Sequence, residues 1–208
     1  MKVKLVAGPG PLRMIGAALA ALLLVSACTG APPASTGPRA PSFEAQPPIR
    51  LDVTSISVVS RYQEPGRAPN VEHLHSVTPE TTARAWAAAR VVGVGTRGTA
   101  TLTVLDGSVI SENLPKKGGL TGFFGDQQDV RLTARLRARL VVDQPGPRAG
   151  DFQQWTADVD ASANRTVLES ASLNERDAAY GALLHALARE FDTALTAEIQ
   201  RSMRPALR

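Results

Sequence analysis

Every second residue from Val130 to Val142 is apolar, and this pattern, more than any other in the chain, limits the folds it can adopt. The intervening positions are mostly arginine: Arg131, Arg135, Arg137 and Arg139. A helix is the competing interpretation, because Leu132, Leu136 and Leu140 repeat every four residues. Seven successive matches to a period of two favour a strand. The pattern therefore predicts a sheet with one buried face and one charged face.

A second alternating stretch runs from Trp155 to Ala161, with Asp158 and Asp160 on its opposite face. If the two strands are neighbours, the arginine row and the aspartate row pair across them. The alternative is a solvated sheet face without a further role.

Two segments predict helices. Residues 78–80 (Thr-Pro-Glu) form a helix start, with an N-cap residue, proline at the first position and an acid in the first turn. We expect Gly93 and Gly95 to end this helix. Ser172 and Glu175 form a capping box that begins a second helix, which extends to about Met203.

The fold class follows from the order of these elements. Ile49 begins a strand with a bulge before Ile56, and another strand is expected over Thr99–Ile110. The order β-α-β-β-β-α predicts a single α+β domain over residues 49–208. Its sheet is expected to be four-stranded and antiparallel-rich, with the two helices on one face.

Residues 1–27 have the features of a secretory signal peptide. Lys2, Lys4 and Arg13 precede an apolar run, Met14–Val25, which is shorter than the ~20 residues that span a bilayer as a helix. Without these three charges, 20 Lys+Arg remain against 19 Asp+Glu, a net charge of +1. The domain thus lacks the basic surplus of a nucleic-acid-binding protein.

The residues Val25-Ser26-Ala27-Cys28 resemble the lipobox of bacterial lipoproteins. The resemblance implies a diacylglycerol on the Cys28 thiol, cleavage before Cys28, and an acyl chain such as palmitate on the new amino terminus. Thr29 in the next position, rather than Asp, implies a lipid anchor in the outer membrane of a Gram-negative bacterium, facing the periplasm. The alternative is an ordinary signal peptide cut after Ala27, with Cys28 incidental.

Residues 28–48 are expected to form a disordered tether behind the lipidated cysteine. Six prolines fall between Thr29 and Pro48, and such a stretch has too little apolar surface to order itself. Extended as polyproline, it reaches about 60 Å.

Other motifs give no catalytic or metal site. Residues 93–98 match G-x-G-x-x-G, but a helix precedes them and a strand follows, so a turn is favoured over nucleotide binding. His73 and His75 could form a metal pair, but His185 is the only other histidine in the sequence. No nucleophile motif is present. We therefore expect neither catalysis nor a cofactor beyond the lipid on Cys28, the alternative being a periplasmic hydrolase with scattered acids.

The segment from Leu114 to Gln128 is long for a connection between strands and contains four glycines. It carries basic and apolar residues where a loop is usually polar: Lys116, Lys117, Leu120, Phe123 and Phe124. Such a composition suits a protein partner or an anionic lipid headgroup. The alternative is a loop that folds back and buries its phenylalanines over the sheet edge.

With its lipobox, tether and element order, the chain resembles two groups of Gram-negative envelope proteins. One is the LptE-like family of outer-membrane lipoproteins, which plug and help assemble the β-barrel that translocates lipopolysaccharide. In that family the loop between the second and third strands contacts lipopolysaccharide, and Lys116 and Lys117 occupy a comparable place. The other group is the auxiliary lipoproteins of ABC-type lipid transporters. The resemblance implies a non-enzymatic role in outer-membrane assembly or lipid transport, with a β-barrel or an ABC complex as partner and lipopolysaccharide or phospholipid as ligand.

Replacing the lipobox cysteine tests the anchor. We expect Cys28→Ser to leave an uncleaved precursor without lipid, because the thiol that accepts the diacylglycerol is gone. Intact mass spectrometry and membrane fractionation measure both effects, with Thr29→Ser as the control that keeps the cysteine. Normal membrane retention of Cys28→Ser would contradict the assignment.

Overall fold

The computed structural model describes residues 37–115, 128–168 and 170–208, and they form an α+β domain, as predicted. Two helices and seven strands follow one another along this part of the chain: β1 (Ile49–Leu51), β2 (Ser55–Ser60), α1 (Pro79–Arg90), β3 (Val91–Gly93), β4 (Thr99–Asp106), β5 (Val109–Asn113), β6 (Gln128–Pro145), β7 (Phe152–Leu168) and α2 (Leu173–Ser202). Two short 3-10 turns, Glu72–Leu74 and Arg204–Ala206, complete the described secondary structure.

The main sheet is built around β6, the strand predicted from the arginine alternation. β7 pairs antiparallel with one edge of β6 along its length. β4 and then β5 pair antiparallel with the other edge. β2 completes the sheet by pairing parallel with β4. The sheet is antiparallel-rich, as predicted, but it has five strands rather than four. Its one parallel pair arises because α1 carries the chain from β2 back to the start of β4.

Where the sequence predicts a bulge, the chain passes from one parallel strand pair to another, and we call these two pairs the parallel ladders. β1 pairs parallel with β3, with Leu51 opposite Gly93, and the main ladder resumes with Ser55 opposite Thr99. Three residues separate the ladders on one side and five on the other. Backbone hydrogen bonds bridge the joint, since the N–H of Val94 donates to Leu51 O at 2.9 Å and that of Thr54 to Gly98 O at 3.1 Å.

Helix α1 begins as predicted but ends earlier. Thr78 is its N-cap and forms a capping box with Thr81. The helix stops at Arg90, before the two glycines that were expected to end it, because Val91 is already extended with φ −114° and ψ 126°. β-branched residues favour strands, and at this point the chain pairs with β1.

The strand predicted over Thr99–Ile110 is two strands. Asp106 Oδ1 accepts the backbone N–H of Ser108 at 3.1 Å, which turns the chain between β4 and β5. Gly107 is buried at this turn, and a Cβ there would lie 3.3 Å from the ring of Tyr62. The break lets both strands use the same edge of β6.

The core lies between the inner face of the sheet and both helices, as predicted. The apolar row of β6 is almost fully buried: Ala134, Leu136, Ala138, Leu140 and Val142. Trp86 of α1 meets Phe191 of α2 edge to face, with ring centroids 5.5 Å apart. α2 begins at the predicted capping box of Ser172 and Glu175. Among the described residues, no helix is long and apolar enough to cross a membrane.

The described chain is packed before the predicted domain boundary. Phe43 is only 5% exposed and belongs to the core. Pro38 lies against α2, its Cβ 3.5 Å from the place of a Cβ on Gly181. Within the described residues, packing therefore begins at Pro38 rather than Ile49, because a proline-rich arm can bury side chains without joining a sheet.

Truncating Phe43 tests this packing. Phe43→Ala should lower the free energy of unfolding by about 3 kcal/mol, the low end for a buried phenylalanine. Urea unfolding of the chain without its leader measures the change. Phe152→Ala is the matched control, because Phe152 is 84% exposed and its truncation should cost little. Equal midpoints for the two variants would show that the arm does not contribute to stability.

Candidate functional site

The sequence-predicted functional residues lie outside the described part of the chain. This holds for Cys28 and for the loop residues: Lys116, Lys117, Leu120, Phe123 and Phe124. The described ends of the loop are informative, because Asn113 pairs with Val130 and Gln128 pairs with Leu168. The loop therefore begins and ends at the end of the sheet where β7 stops.

The outer face of the sheet carries an array of arginine–aspartate pairs, which we call the charge ladder: Arg135, Arg137, Arg139, Asp158 and Asp160. Arg139 lies opposite Asp158 and donates to both of its carboxylate oxygens at 2.7 and 3.2 Å. Arg135 reaches diagonally to Asp160 with bonds of 2.9 and 2.5 Å. The Nε of Arg137, directly opposite Asp160, is 3.8 Å from its Oδ2. The predicted cross-strand pairing is confirmed.

The arginines and aspartates of the charge ladder stabilise one another's charged forms, and Asp106, 4.0 Å from Arg135, adds a further carboxylate beside them. Hydrogen bonds from Arg135 lower the pKa of Asp160, and the bond to Asp158 raises that of Arg139. These side chains are about half exposed, so water screens the pairs and they contribute little to folding stability. The ladder is a flat polar surface that can make hydrogen bonds without a large excess of either charge.

A buried carboxylate, which the sequence did not reveal, holds the loop before α1 to the sheet. Glu72 is 1% exposed. Its Oε1 accepts from the Tyr62 hydroxyl at 2.5 Å and from Asn70 Nδ2 at 3.1 Å, and its Oε2 accepts from Val109 N at 2.9 Å. Burial by itself would raise the pKa of Glu72, but these hydrogen bonds outweigh it and lower the pKa. The carboxylate is a structural clamp that stays ionised.

His73 and His75, the two histidines that could form a metal pair, have different surroundings. His73 is exposed, whereas the ring of His75 stacks on Tyr180 with centroids 3.6 Å apart. The Tyr180 hydroxyl donates to Val77 O at 3.1 Å. Burial lowers the pKa of His75, although Asp177 opposes the shift. Across residues 37–115, 128–168 and 170–208, no three metal-ligating side chains come together.

A second buried polar cluster joins the helices. Asp192 Oδ1 of α2 accepts from Trp86 Nε1 at 2.7 Å and from Arg90 Nε at 2.8 Å. Arg90 Nη2 donates to Thr196 at 3.3 Å. The Nη1 of Arg90 is buried and has no hydrogen-bond partner among the described residues. Sequence periodicity could not predict this cluster, because Arg90 and Asp192 are 102 positions apart in the chain.

The G-x-G-x-x-G motif forms the joint between the two parallel ladders. A Cβ on Gly95 would lie 2.7 Å from Val53 N, so only glycine lets the backbones approach this closely. Gly98 has φ +80°, and its carbonyl accepts the Thr54 hydroxyl at 2.7 Å. The glycines serve chain packing, which agrees with the predicted turn.

The chain matches no protein-family model, and none of the curated proteins is significantly similar to it. A proposal about function therefore rests on the residues and their geometry.

The stacked histidine predicts a pH dependence of stability. His75 has a folded pKa below its unfolded value of about 6.5. The uncharged ring therefore contributes fully to folding stability above that pH, and this contribution is lost as the pH falls through the folded pKa. We expect His75→Phe, which keeps a ring on Tyr180 but cannot titrate, to flatten the loss of stability between about pH 7.5 and 5. Urea unfolding across this range measures it.

The control for this measurement is His73→Asn, which should leave the pH profile unchanged because His73 is exposed. Identical profiles for wild type and His75→Phe would contradict the role of His75.

Proposed function

We propose that this chain is a non-enzymatic, lipid-anchored lipoprotein of the outer membrane of a Gram-negative bacterium. It faces the periplasm and supports outer-membrane assembly or the transport of lipopolysaccharide or another lipid by binding a membrane partner. One observation carries the proposal: the only cysteine stands directly behind Val25-Ser26-Ala27, at the end of the leader.

The anchor and the short connection to the domain support a role at a membrane. One acyl chain gives marginal membrane binding, whereas several give stable anchoring. Cys28 and Gly37 are nine residues apart, so covalent geometry limits the connection to about 30 Å. Attachment at this distance raises the effective concentration of the domain toward a partner in the same membrane.

The use of the buried polar groups supports binding rather than catalysis. Glu72 clamps the loop before α1 to β5, and Asp192 joins Arg90 and Trp86 across the two helices. His75 is stacked on Tyr180. Each of these groups, which would otherwise be candidates for acid–base chemistry, connects one element of the fold to another.

The loop from Leu114 to Gln128 is the proposed contact segment for the partner. Its phenylalanines offer apolar area, and Lys116 and Lys117 suit the phosphates of a lipid headgroup. A rigid strand stands on each side of it, β5 before and β6 after. The residues that flank this segment, Asn113 and Gln128, lie at the end of the sheet where β7 stops, which supports a contact role at that end.

Crosslinking in cells tests the function. The lipidated chain carrying an affinity tag is crosslinked, extracted in detergent and analysed by mass spectrometry, with Cys28→Ser as the unanchored control. Enrichment of an outer-membrane β-barrel over the control supports the main proposal. Enrichment of an ABC permease or its periplasmic lipid-binding subunit instead supports the auxiliary-lipoprotein role. No enrichment over Cys28→Ser would contradict both.

The loop phenylalanines give a sharper test. We expect Phe123→Ala/Phe124→Ala to reduce recovery of the crosslinked partner several-fold while the melting temperature stays unchanged, because the loss would lie in the interface. Phe152→Ala, which removes an exposed phenylalanine elsewhere, is the matched control. A large fall in melting temperature would make the pair part of the core and refute the contact role.

A further inference from the structure

The arm before β1 runs along α2 in the direction of the helix. Pro38 lies beside Gly181, near the start of α2. Thirteen residues later, Leu51 bridges to Leu207, beyond the end of α2, and Asp52 N donates to Ala206 O at 2.8 Å. The helix rises about 32 Å from Gly181 to its end. Thirteen extended residues reach about 43 Å, so the arm spans that distance even with the turn in which Gln46 N donates to Phe43 O at 3.1 Å. The direction of the arm therefore places its amino-terminal end near the start of α2.

The start of α2 marks one end of the domain, which we call the proximal end. Leu168, where β7 finishes, pairs with Gln128, and the N–H of Ala171 donates to Leu168 O at 3.2 Å just before α2 begins. β5 also finishes here, at Asn113. The opposite, distal end is the turn between β6 and β7, where Pro145 pairs with Phe152. β7 has 17 residues, so about 55 Å separates the two ends.

Two strongly exposed apolar side chains lie at or near the proximal end. Leu173, the first residue of α2, is 80% exposed. The capping box of Ser172 and Glu175 makes no use of its side chain. Leu74 is 68% exposed and precedes His75, which is stacked on Tyr180 in the first part of α2. Both leucines would gain free energy by leaving water. Phe152 at the distal end, 84% exposed, would gain as well, so the position of the amino terminus decides between the two ends.

We infer that the proximal end of the domain faces the bilayer that holds the amino terminus, with Leu173 and Leu74 directed toward the lipid surface. This inference rests on the proposed lipid anchor at Cys28 and adds an orientation to it. The connection from Cys28 to Gly37 reaches about 30 Å at most, and it joins the domain at the end where these leucines lie. The distal end then points away from the membrane, toward the periplasm.

Labels at the two ends of β7 and α2 test the orientation. Cys28 is acylated in the lipidated chain, so Leu173→Cys and Phe152→Cys each introduce a single free thiol for a fluorophore. Both positions are at least 80% exposed, so neither change should disturb the fold, and thermal melting checks this. Each labelled chain is reconstituted into vesicles of phosphatidylethanolamine and phosphatidylglycerol that carry nitroxide groups on the lipid headgroups.

We expect the nitroxide to quench the label at position 173 several-fold more than the label at position 152. Equal quenching, or stronger quenching at position 152, in a chain whose mass shows the lipid would overturn the orientation but leave the anchor intact. If intact mass spectrometry finds no lipid on the chain, the anchor and the orientation are overturned together.

A second variant tests the leucines themselves. Leu74→Asp/Leu173→Asp, lipidated and with normal melting, should reduce the quenching of a label on position 170. Unchanged quenching would refute the contact of these leucines with lipid.

Discussion

The burial of one face of β6 is the constraint on which the rest of the structure depends. Its apolar row lies within the core, and both of its edges are hydrogen-bonded, to β7 on one side and to β4 and β5 on the other. A shift of the register by one residue would place the arginines in the core and the leucines in water. The helices, the arm with Phe43 and the small β1–β3 ladder cover the apolar side that this register defines.

Polar contacts then decide how the covering elements are held. Glu72, the stack of His75 on Tyr180, and the Asp192 cluster each join segments that hydrophobic packing alone would leave free to slide. Burying charges is costly unless they are paired and hydrogen-bonded. Glu72 is hydrogen-bonded, and Asp192 is both hydrogen-bonded and paired with Arg90. His75 is held instead by its stack on Tyr180. These contacts give each covering element a specific position on the sheet.

The proposed function uses the two ends of this framework differently. At the proximal end the arm approaches the start of α2, the ends of the loop from Leu114 to Gln128 emerge, and Leu173 is exposed. A lipid anchor and a partner segment would thus act on the same side of a rigid domain. The charge ladder lies on the outer face of the sheet, where its paired arginines and aspartates form a polar surface.

The sequence by itself determined the central strand, the capping boxes at Thr78 and Ser172, and the pairing of the arginine and aspartate rows, because each depends on residues that are close in the chain or on a simple period. It also contains Val25-Ser26-Ala27-Cys28, which resembles a lipobox, and the anchor that this resemblance implies stays a prediction. Only the tertiary structure decided the parallel pairing of β2 with β4, the end of α1 at Arg90, the use of the glycine motif as a joint, and the burial of Phe43 and Glu72. These features depend on contacts between residues far apart in the chain, and no local pattern encodes which distant backbone or side chain will be the neighbour.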